Sequence, residues 1–281
     1  MKYFCKSCYK SVKEAKDSEP IDLNLMLLTQ CSQSCSYCFN HCSPKNHEFI
    51  SDEVLDTLAK KIVEYKKPVG LTLLGGEPTL HPKLKEIVDK FSPIPNISNI
   101  EIHTNGRKSL KSIIKKGVIV VFSIHPEYSK HIDTVIKHIQ EVQESVETRV
   151  KILYHPFFKN EIHFLKKKLT ENNISFWYVP VCEFREREQD YEYASASFNV
   201  NGKILPLKYI MDNKLNKFKN WMCLSHSIRV DTDGSVIALC INKKENILDK
   251  NYKLGKQLIC CKSESCVNDC ALDALKIKVG E

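Results

Sequence analysis

The sequence predicts an α/β fold, in which a partial (β/α)6 TIM-like barrel is followed by a small cysteine-rich α+β module. Six short runs of β-forming apolar residues alternate with segments of helical period. The runs are apolar at most positions, which is typical of parallel strands covered by helices. Six such units are too few to close an eight-stranded barrel, so we expect an open one.

Each element is justified by its own residues. The predicted strands lie at 21–28, 69–74, 99–103, 118–124, 149–154 and 174–181. The predicted helices lie at 51–66, 83–91, 107–116, 128–144 and 161–172. Ser51 is a helix-capping residue with acidic residues in the turn after it.

The alternation ends near residue 182. Residues 183–195 are charged and aperiodic, which indicates a linker or an active-site loop. Beyond them, Asn201-Gly202 and Asp233-Gly234 predict two β-hairpins. We therefore predict an N-terminal extension at 1–20, a barrel at 21–182 and a second module at 183–281.

Composition narrows the class of protein. No apolar stretch is long enough to cross a bilayer, and the first twenty residues lack the apolar segment of a signal peptide. We therefore expect a cytoplasmic protein without a membrane partner, whose 13 cysteines stay reduced. The net charge is +8, but the lysines are scattered, so we do not expect a nucleic-acid partner. The positive surplus would suit an anionic cofactor or substrate.

Three cysteines follow the first predicted strand closely. Cys31, Cys35 and Cys38 are separated by three residues and then by two. Zinc sites usually use Cys-x-x-Cys pairs, and thioredoxin-like motifs need one such pair, so the spacing fits neither well. Three thiolates on a four-iron cluster would leave one iron open to a small molecule. A zinc knuckle or a chance cluster is the alternative.

In these cysteines the chain resembles the radical SAM superfamily, whose CxxxCxΦC motif follows the first strand of a partial barrel. Tyr37 stands at the Φ position, and Gly75-Gly76-Glu77 matches the family's turn after the second strand. The polar end of the third strand is matched by residues 103–106, and the serine near the end of the fourth by Ser123. The resemblance covers roughly residues 20–182.

The resemblance implies a set of cofactors and ligands. Cys31, Cys35 and Cys38 would hold a [4Fe-4S] cluster, and the open iron would be chelated by S-adenosylmethionine (SAM). An electron donor such as flavodoxin or ferredoxin would reduce the cluster.

The resemblance also implies how SAM is bound. Gly75-Gly76 would let the backbone approach the methionyl end of SAM, since neither residue has a Cβ. The carbonyls of these glycines and the Glu77 side chain would face the ammonium group. Asn105 and Ser123 would contact the ribose or carboxylate, and Tyr37 would pack by the adenine.

Polar side chains at the strand ends are candidate catalytic residues. Barrel enzymes place their chemistry at the C-terminal ends of strands. Three predicted strands end in His103, His125 and His155, and the sixth carries Tyr178. We expect at least one histidine to contact substrate or SAM. The alternative for each is a structural hydrogen-bonding role.

The predicted second module is rich in cysteine, with Cys223, Cys240, Cys260, Cys261, Cys266 and Cys270. Residues 221–223, a hairpin and Cys240 resemble the SPASM and twitch extensions of radical SAM enzymes, which bind auxiliary [4Fe-4S] clusters. The resemblance implies one auxiliary cluster on four of these cysteines, namely Cys223, Cys240, Cys261 (or Cys260) and Cys266, with Cys270 as the substitute for Cys266. A zinc ribbon is the alternative.

Four further cysteines receive smaller roles. We expect a minor structural role for Cys5 and Cys8, and we expect Cys42 and Cys182 to be buried or idle thiols.

These features predict a radical SAM enzyme that cleaves SAM to a 5′-deoxyadenosyl radical and abstracts a hydrogen atom from its substrate. About twenty residues precede the first strand, too few for the peptide-recognition domain of many peptide-modifying relatives. We therefore expect a small polar substrate such as a sugar, aminocyclitol or nucleotide-sugar. A maturase of a ribosomally synthesised peptide is one alternative, and a non-catalytic zinc or iron–sulfur protein is another.

Overall fold

Six parallel strands form the centre of the protein. The computed structural model describes residues 20–181, 197–200, 203–237, 245–255, 257–260 and 275–278. Strands β1 to β6 lie at Ile21–Met26, Val69–Leu74, Ile97–Thr104, Val118–Ile124, Glu147–Tyr154 and Trp177–Pro180. Each pairs in parallel with the next. The predicted fold class, an open α/β barrel, is therefore confirmed.

Four helices cover the outer face of these strands. They are α1 (Asp52–Tyr65), α2 (Leu84–Phe91), α3 (Ile132–Gln143) and α4 (Lys159–Glu171). The Ser51 side chain accepts the Val54 backbone N–H, as its capping position predicts. Helix α1 buries residues three and four apart, including Leu55, Leu58 and Ile62. Burial of each such aliphatic side chain stabilises the folded state by about 1.5–3 kcal/mol relative to leaving it exposed.

The helix predicted at 107–116 is wrong. Residues between Thr104 and Val118 form turns, in which the Leu110 carbonyl accepts two backbone N–H groups. The Ser109 hydroxyl accepts the Lys111 backbone N–H, which offers the chain a local alternative to helix. The buried Leu110 anchors this connection on the core.

The chain beyond residue 196 adds strands to the barrel sheet. The described elements there are β7 (Ser197–Val200), β8 (Lys203–Pro206), α5 (Leu207–Asp212), β9 (Trp221–Ser225), β10 (Ser227–Val230), β11 (Ser235–Ile237), β12 (Glu245–Asn246), β13 (Gln257–Cys260) and β14 (Leu275–Lys278). Strand β10 pairs in parallel with β1, and β11 and β12 follow it antiparallel. The sheet therefore has nine strands, in the order β12-β11-β10-β1-β2-β3-β4-β5-β6.

Strands β10, β11 and β12 lie beyond the predicted domain boundary at residue 182 but belong to the main sheet. Because β10 lies beside β1, that boundary does not coincide with the edge of the main sheet. The hairpin predicted at Asp233-Gly234 joins β10 to β11, with Gly234 at φ 81°. The hairpin predicted at 201–202 has its flanking strands β7 and β8 paired, although these two residues lie outside the described part. Within the described residues, no helix is long and apolar enough to cross a membrane.

Candidate active site

A cavity of about 300 Å³ opens where the parallel strands end. Its wall includes Cys31, Cys35 and Cys38 of the loop after β1, together with Tyr37 from the same loop. The other predicted site residues in its wall are Gly75, Gly76, His103, Asn105, Ser123 and His125. Because carboxyl ends of parallel strands meet at one edge, residues from four strand ends come together here.

Each cysteine sulfur of the loop lies near a polar nitrogen. The backbone N–H of Gln33 donates to Cys31 Sγ at 3.4 Å, and that of Cys42 donates to Cys38 Sγ at 3.4 Å. The Nδ1 atom of His125 lies 3.4 Å from Cys35 Sγ. Such an environment suits sulfur that carries negative charge.

The thiols differ in how readily they ionise. Burial raises the pKa of Cys31 to about 11. Burial, followed by the nearby charges of Cys31 and Glu127, raises the pKa of Cys35. By contrast, a hydrogen bond from the Cys42 side chain lowers the pKa of Cys38 to about 6. A positively charged iron centre would favour the thiolate form of all three.

The donor set fits an iron–sulfur cluster better than a single metal ion. Among the described residues, no group of three His, Cys, Asp or Glu side chains is placed to hold one metal ion. The thiolates of a cubane bind different corners and need not converge on one point. Three free thiols around one cavity therefore suit a cluster.

The two glycines of the turn after β2 are required by the neighbouring backbone. A Cβ on Gly76 would lie 2.1 Å from the Gln30 carbonyl oxygen, and one on Gly75 would lie 2.7 Å from the Leu28 carbonyl oxygen. The Gly76 N–H donates to the Leu28 carbonyl at 2.8 Å. The sequence predicted a close approach to a ligand. The structure instead places the close approach between this turn and the residues before Cys31, although both glycines also line the cavity.

The Glu77 side chain, which the sequence assigned to the ammonium group of SAM, is not part of the cavity wall. It is 1% exposed. Its Oε1 accepts the Thr79 N–H, the Thr79 hydroxyl and the Thr104 hydroxyl at 3.1, 2.8 and 2.7 Å. Its Oε2 accepts the Asn105 N–H at 2.7 Å. Burial raises the pKa of Glu77, and these hydrogen bonds oppose that effect.

Asn105 and Arg107 hold the cysteine loop from the end of β3. The Asn105 side-chain amide donates to the Ser32 hydroxyl at 3.1 Å and lies 3.9 Å from Cys31 Sγ. Arg107 Nη1 donates to the Ser32 carbonyl at 2.9 Å. The sequence predicted that Asn105 contacts SAM. The structure adds a contact between Asn105 and the loop that carries the cysteines.

The three histidines divide between the cavity and its support. His103 and His125 line the cavity, whereas His155 does not. His155 is buried, accepts the Phe157 N–H at 3.2 Å and lies against the Tyr37 ring, with centroids 5.0 Å apart. It therefore supports Tyr37 from behind.

His125 and Tyr37 form a stacked pair. Their ring centroids are 5.9 Å apart with an interplanar angle of 13°, and the Tyr37 hydroxyl lies 3.3 Å from His125 Nδ1. Burial, with a smaller effect of the Lys151 charge, lowers the pKa of His125 to about 4. The ring is therefore neutral near pH 7.

Tyr178 lies outside the cavity wall, and the structure does not bring it to the other candidates. Its ring packs on the hydrophobic core beside Phe176, with centroids 5.6 Å apart. Val179 and Val181 line the cavity instead. Successive side chains of a strand point to opposite faces, so Tyr178 is directed away.

Charged residues on the inner face of the barrel were not singled out from the sequence. Glu101 pairs with Arg149 at 2.9 Å and lies 3.3 Å from His103 Nε2. Arg149 and Lys151 share the face of Leu153, which lines the cavity. The two-residue spacing of Glu101 from His103 could have revealed this face, because strands alternate.

A fourth thiol also belongs to the cavity. Cys42 is buried, packs with Cys31 and lines the same wall. The sequence predicted a buried or idle thiol, and Cys42 is buried, although no motif marked its position beside Cys38.

The predicted auxiliary site is described only in part. Cys223 on β9 is buried, and Cys260 at the end of β13 is exposed. Cys223 pairs with position 259, so alternation puts Cys260 on the opposite face and does not bring it to Cys223. The other cysteines named from the sequence, Cys5, Cys8, Cys182, Cys240, Cys261, Cys266 and Cys270, lie outside the described residues.

Comparison with known sequences gives one family and a set of curated relatives. The family described as "Radical SAM superfamily" matches residues 26–155. The GTP 3′,8-cyclase of Aquifex aeolicus (strain VF5) is 28% identical over 145 residues, which cover 47% of this chain and 44% of that one. The GTP 3′,8-cyclase of Haemophilus influenzae is 24% identical over 250 residues, covering 81% and 71%. The chain spans about half the length of several such relatives, namely 44%, 56% and 48%.

Two solved structures share the fold. One is native anSMEcpe with bound AdoMet and Kp18Cys peptide, with a TM-score of 0.57, 17% identity and coverage of 82% of this chain and 78% of that chain. The other is Streptococcus suis SuiB bound to the precursor peptide SuiA, with a TM-score of 0.55, 16% identity and coverage of 83% and 64%. At these identities the likeness concerns the fold.

Proposed function

We propose that this chain, which belongs to the radical SAM superfamily of enzymes, cleaves SAM reductively and uses the radical to abstract a hydrogen atom from a small polar substrate. Enzymes of this superfamily use a [4Fe-4S] cluster and SAM, which together supply a 5′-deoxyadenosyl radical when one electron is delivered. The observation that carries the proposal is that Cys31, Cys35 and Cys38 line one cavity with Gly75-Gly76.

The chain's own residues would bind and orient these groups. Cys31, Cys35 and Cys38 would hold the cluster, and the backbone of Gly75-Gly76 would lie beside the SAM methionyl group. Ser123 and Asn105 would contact its polar groups. Tyr37, held between His125 and His155, is placed in the wall where an adenine could pack.

The inner face of the barrel supports a small polar substrate. Glu101, His103 and Arg149 form a connected polar group on this face. Such buried or half-buried charges are suited to fixing the orientation of a polar molecule. The curated relatives are GTP 3′,8-cyclases, whose name indicates a nucleotide substrate. Sugars, aminocyclitols and nucleotide-sugars are also small polar molecules.

A peptide substrate is the second candidate. It is favoured by the two similar folds that were solved with peptides bound. The exposed Phe39, which is 68% exposed at the cavity wall, could contact an apolar peptide side chain.

The remaining assignments complete the proposal. Residues 183–281 would form a SPASM or twitch-like module whose Cys223 ligates an auxiliary [4Fe-4S] cluster. Flavodoxin or ferredoxin would deliver the electron, in the cytosol. Because the chain spans about half of several relatives, the activity of the whole protein is part of this proposal.

The test is anaerobic reconstitution with iron and sulfide, followed by dithionite and SAM, with 5′-deoxyadenosine measured by chromatography. We expect 5′-deoxyadenosine from the wild type and its loss in Cys35→Ala, whereas Cys182→Ser, outside the motif, retains it. About four irons per chain would indicate one cluster and about eight would support the auxiliary site. GTP, nucleotide-sugars, aminocyclitols and peptides are then added in turn, to find the compound that raises the rate of 5′-deoxyadenosine formation. Absence of 5′-deoxyadenosine from iron-loaded protein would contradict the proposal.

A further inference from the structure

The turn after β4 holds the backbone on both sides of Cys35. The backbone N–H of Ser34 donates to the Tyr128 hydroxyl at 2.7 Å. The backbone N–H of Ser36 donates to the Glu127 carboxylate at 3.0 Å. The two contacts join segments about 90 residues apart in the sequence. The middle cysteine of the motif is therefore held at its two neighbours.

A third contact reaches the cysteine itself. His125 Nδ1 lies 3.4 Å from Cys35 Sγ. His125, Glu127 and Tyr128 belong to one short segment, and each meets one of three consecutive residues of the cysteine loop. We call residues 125–128 the clamp.

The backbone of the clamp is fixed by its own sequence. Pro126 begins a 3-10 turn at Pro126–His131, and the Tyr128 N–H donates to the His125 carbonyl at 3.0 Å. Tyr128 has φ −117° and ψ 25°, which departs from helical geometry. From this turn, both the Glu127 and the Tyr128 side chains reach the cysteine loop.

We propose that the clamp positions Cys35 and that its Glu127 carboxylate lowers the reduction potential of the cluster that this cysteine would hold. The inference rests on the proposed function. Glu127 and Tyr128 are positioning residues, since they act through the loop.

The physical reason lies in where the N–H groups and the charge are placed. Hydrogen bonds to the sulfurs of an iron–sulfur cluster and the net charge around it set its potential. The Ser34 and Ser36 N–H groups are engaged by the clamp and are not available to sulfur. The Glu127 carboxylate also adds negative charge beside the loop, which disfavours the more negative, reduced cluster.

The first test needs no cluster. Hydrogen–deuterium exchange of the peptide that contains residues 34–36 is measured in metal-free protein for Tyr128→Phe and Glu127→Ala. Losing one hydrogen bond is expected to speed exchange by about three- to tenfold at the affected amide. The exposed Tyr209→Phe and Glu144→Ala serve as matched controls and should leave that peptide unchanged. Exchange equal to wild type in both clamp variants would overturn the clamp.

The second test measures the cluster. Glu127→Gln keeps an acceptor oxygen for Ser36 but removes the charge. We expect its midpoint potential, from a redox titration followed by electron paramagnetic resonance, to shift to a more positive value with iron content unchanged. Glu127→Ala should shift the potential and also lose iron to a chelator faster, and Tyr128→Phe should lose iron faster. A wild-type potential in Glu127→Gln would overturn the electrostatic effect.

The two tests separate this inference from the proposed function. A wild-type protein that binds no iron would overturn the proposed function and the effect on potential, while the exchange data would still decide whether the clamp exists. A wild type with a normal cluster and clamp variants that match their controls would overturn the clamp alone.

Discussion

The Glu77 carboxylate accepts the backbone N–H of Asn105 across 2.7 Å, although the two residues belong to different strand ends. Glu77 follows β2 and Asn105 follows β3, so the hydrogen bond ties these ends together. Asn105 in turn reaches Ser32 in the cysteine loop. Glu77 therefore fixes the position of Asn105 in the cavity wall without itself lining the cavity.

Glu77→Gln should destabilise the protein. Oε1 faces the Thr79 N–H and Oε2 faces the Asn105 N–H, so an amide NH₂ would meet a backbone donor in either orientation. We expect the free energy of unfolding to fall by about 1–3 kcal/mol, measured by urea denaturation. Glu144→Gln, at an exposed position, should change it by less than about 0.5 kcal/mol. Equal stability of the two variants would contradict the role of Glu77.

Gly76→Ala should separate the turn after β2 from the loop before Cys31. Its Cβ would lie 2.1 Å from the Gln30 carbonyl oxygen, so the backbone must move. Overpacking of this kind costs about 1–3 kcal/mol of the free energy of unfolding, measured by thermal or urea denaturation. The matched control is Gly255→Ala, whose Cβ would meet only the Tyr65 ring at 3.8 Å. If both variants were as stable as wild type, the close approach would be unimportant.

His125 should make stability depend on pH. Its pKa is lowered by burial to about 4 in the folded protein, against about 6.5 in an unfolded chain. As the pH falls, the unfolded state therefore binds the proton before the folded state does. The contribution of His125 to the free energy of unfolding is lost as pH falls from about 6.5 towards 4. The slope is at most about 1.4 kcal/mol per pH unit.

The measurement is urea denaturation of metal-free wild type and His125→Gln across this pH range. The difference in free energy of unfolding between them should shrink as pH falls and stay constant above about pH 7. A difference that does not vary with pH would show that His125 titrates normally.

Cys38 should be the most reactive thiol of the cysteine loop in metal-free protein. Its pKa is lowered to about 6, chiefly by the Cys42 side chain, while burial raises that of Cys31 to about 11. At pH 7, iodoacetamide should label Cys38 before Cys31, as followed by mass spectrometry with the exposed Cys260 as a reference. Cys42→Ala should slow labelling of Cys38 by about tenfold. Unchanged labelling in that variant would rule out the Cys42 hydrogen bond as the cause.

The local sequence was enough to predict the barrel strands. Runs such as that of β4 are apolar at nearly every position, which is the signature of a parallel strand under helices. The failed helix at 107–116 shows the limit, because a serine side chain and a short connection outweighed the helical period.

The contacts between residues far apart in the sequence, and the direction of individual side chains, could not be predicted. The pairing of β10 with β1 joins Asp22 to Ser227 across some 200 residues, and no local pattern specifies that neighbour. The direction of Tyr178 depends on strand register, where a shift of one residue reverses the face. His125 and His155 both precede a proline after a strand, yet of the two only His125 lines the cavity. The His155 ring instead accepts the Phe157 N–H of its own turn, whereas the His125 ring makes no such capping hydrogen bond.

In the proposed function, Cys31, Cys35 and Cys38 hold a cluster with one iron left for SAM. The most direct measurement is the electron paramagnetic resonance spectrum of the dithionite-reduced, reconstituted protein before and after SAM is added. We expect the signal to change when SAM is added, and we expect no such change in Cys35→Ala. A reduced cluster whose signal is identical with and without SAM would contradict it.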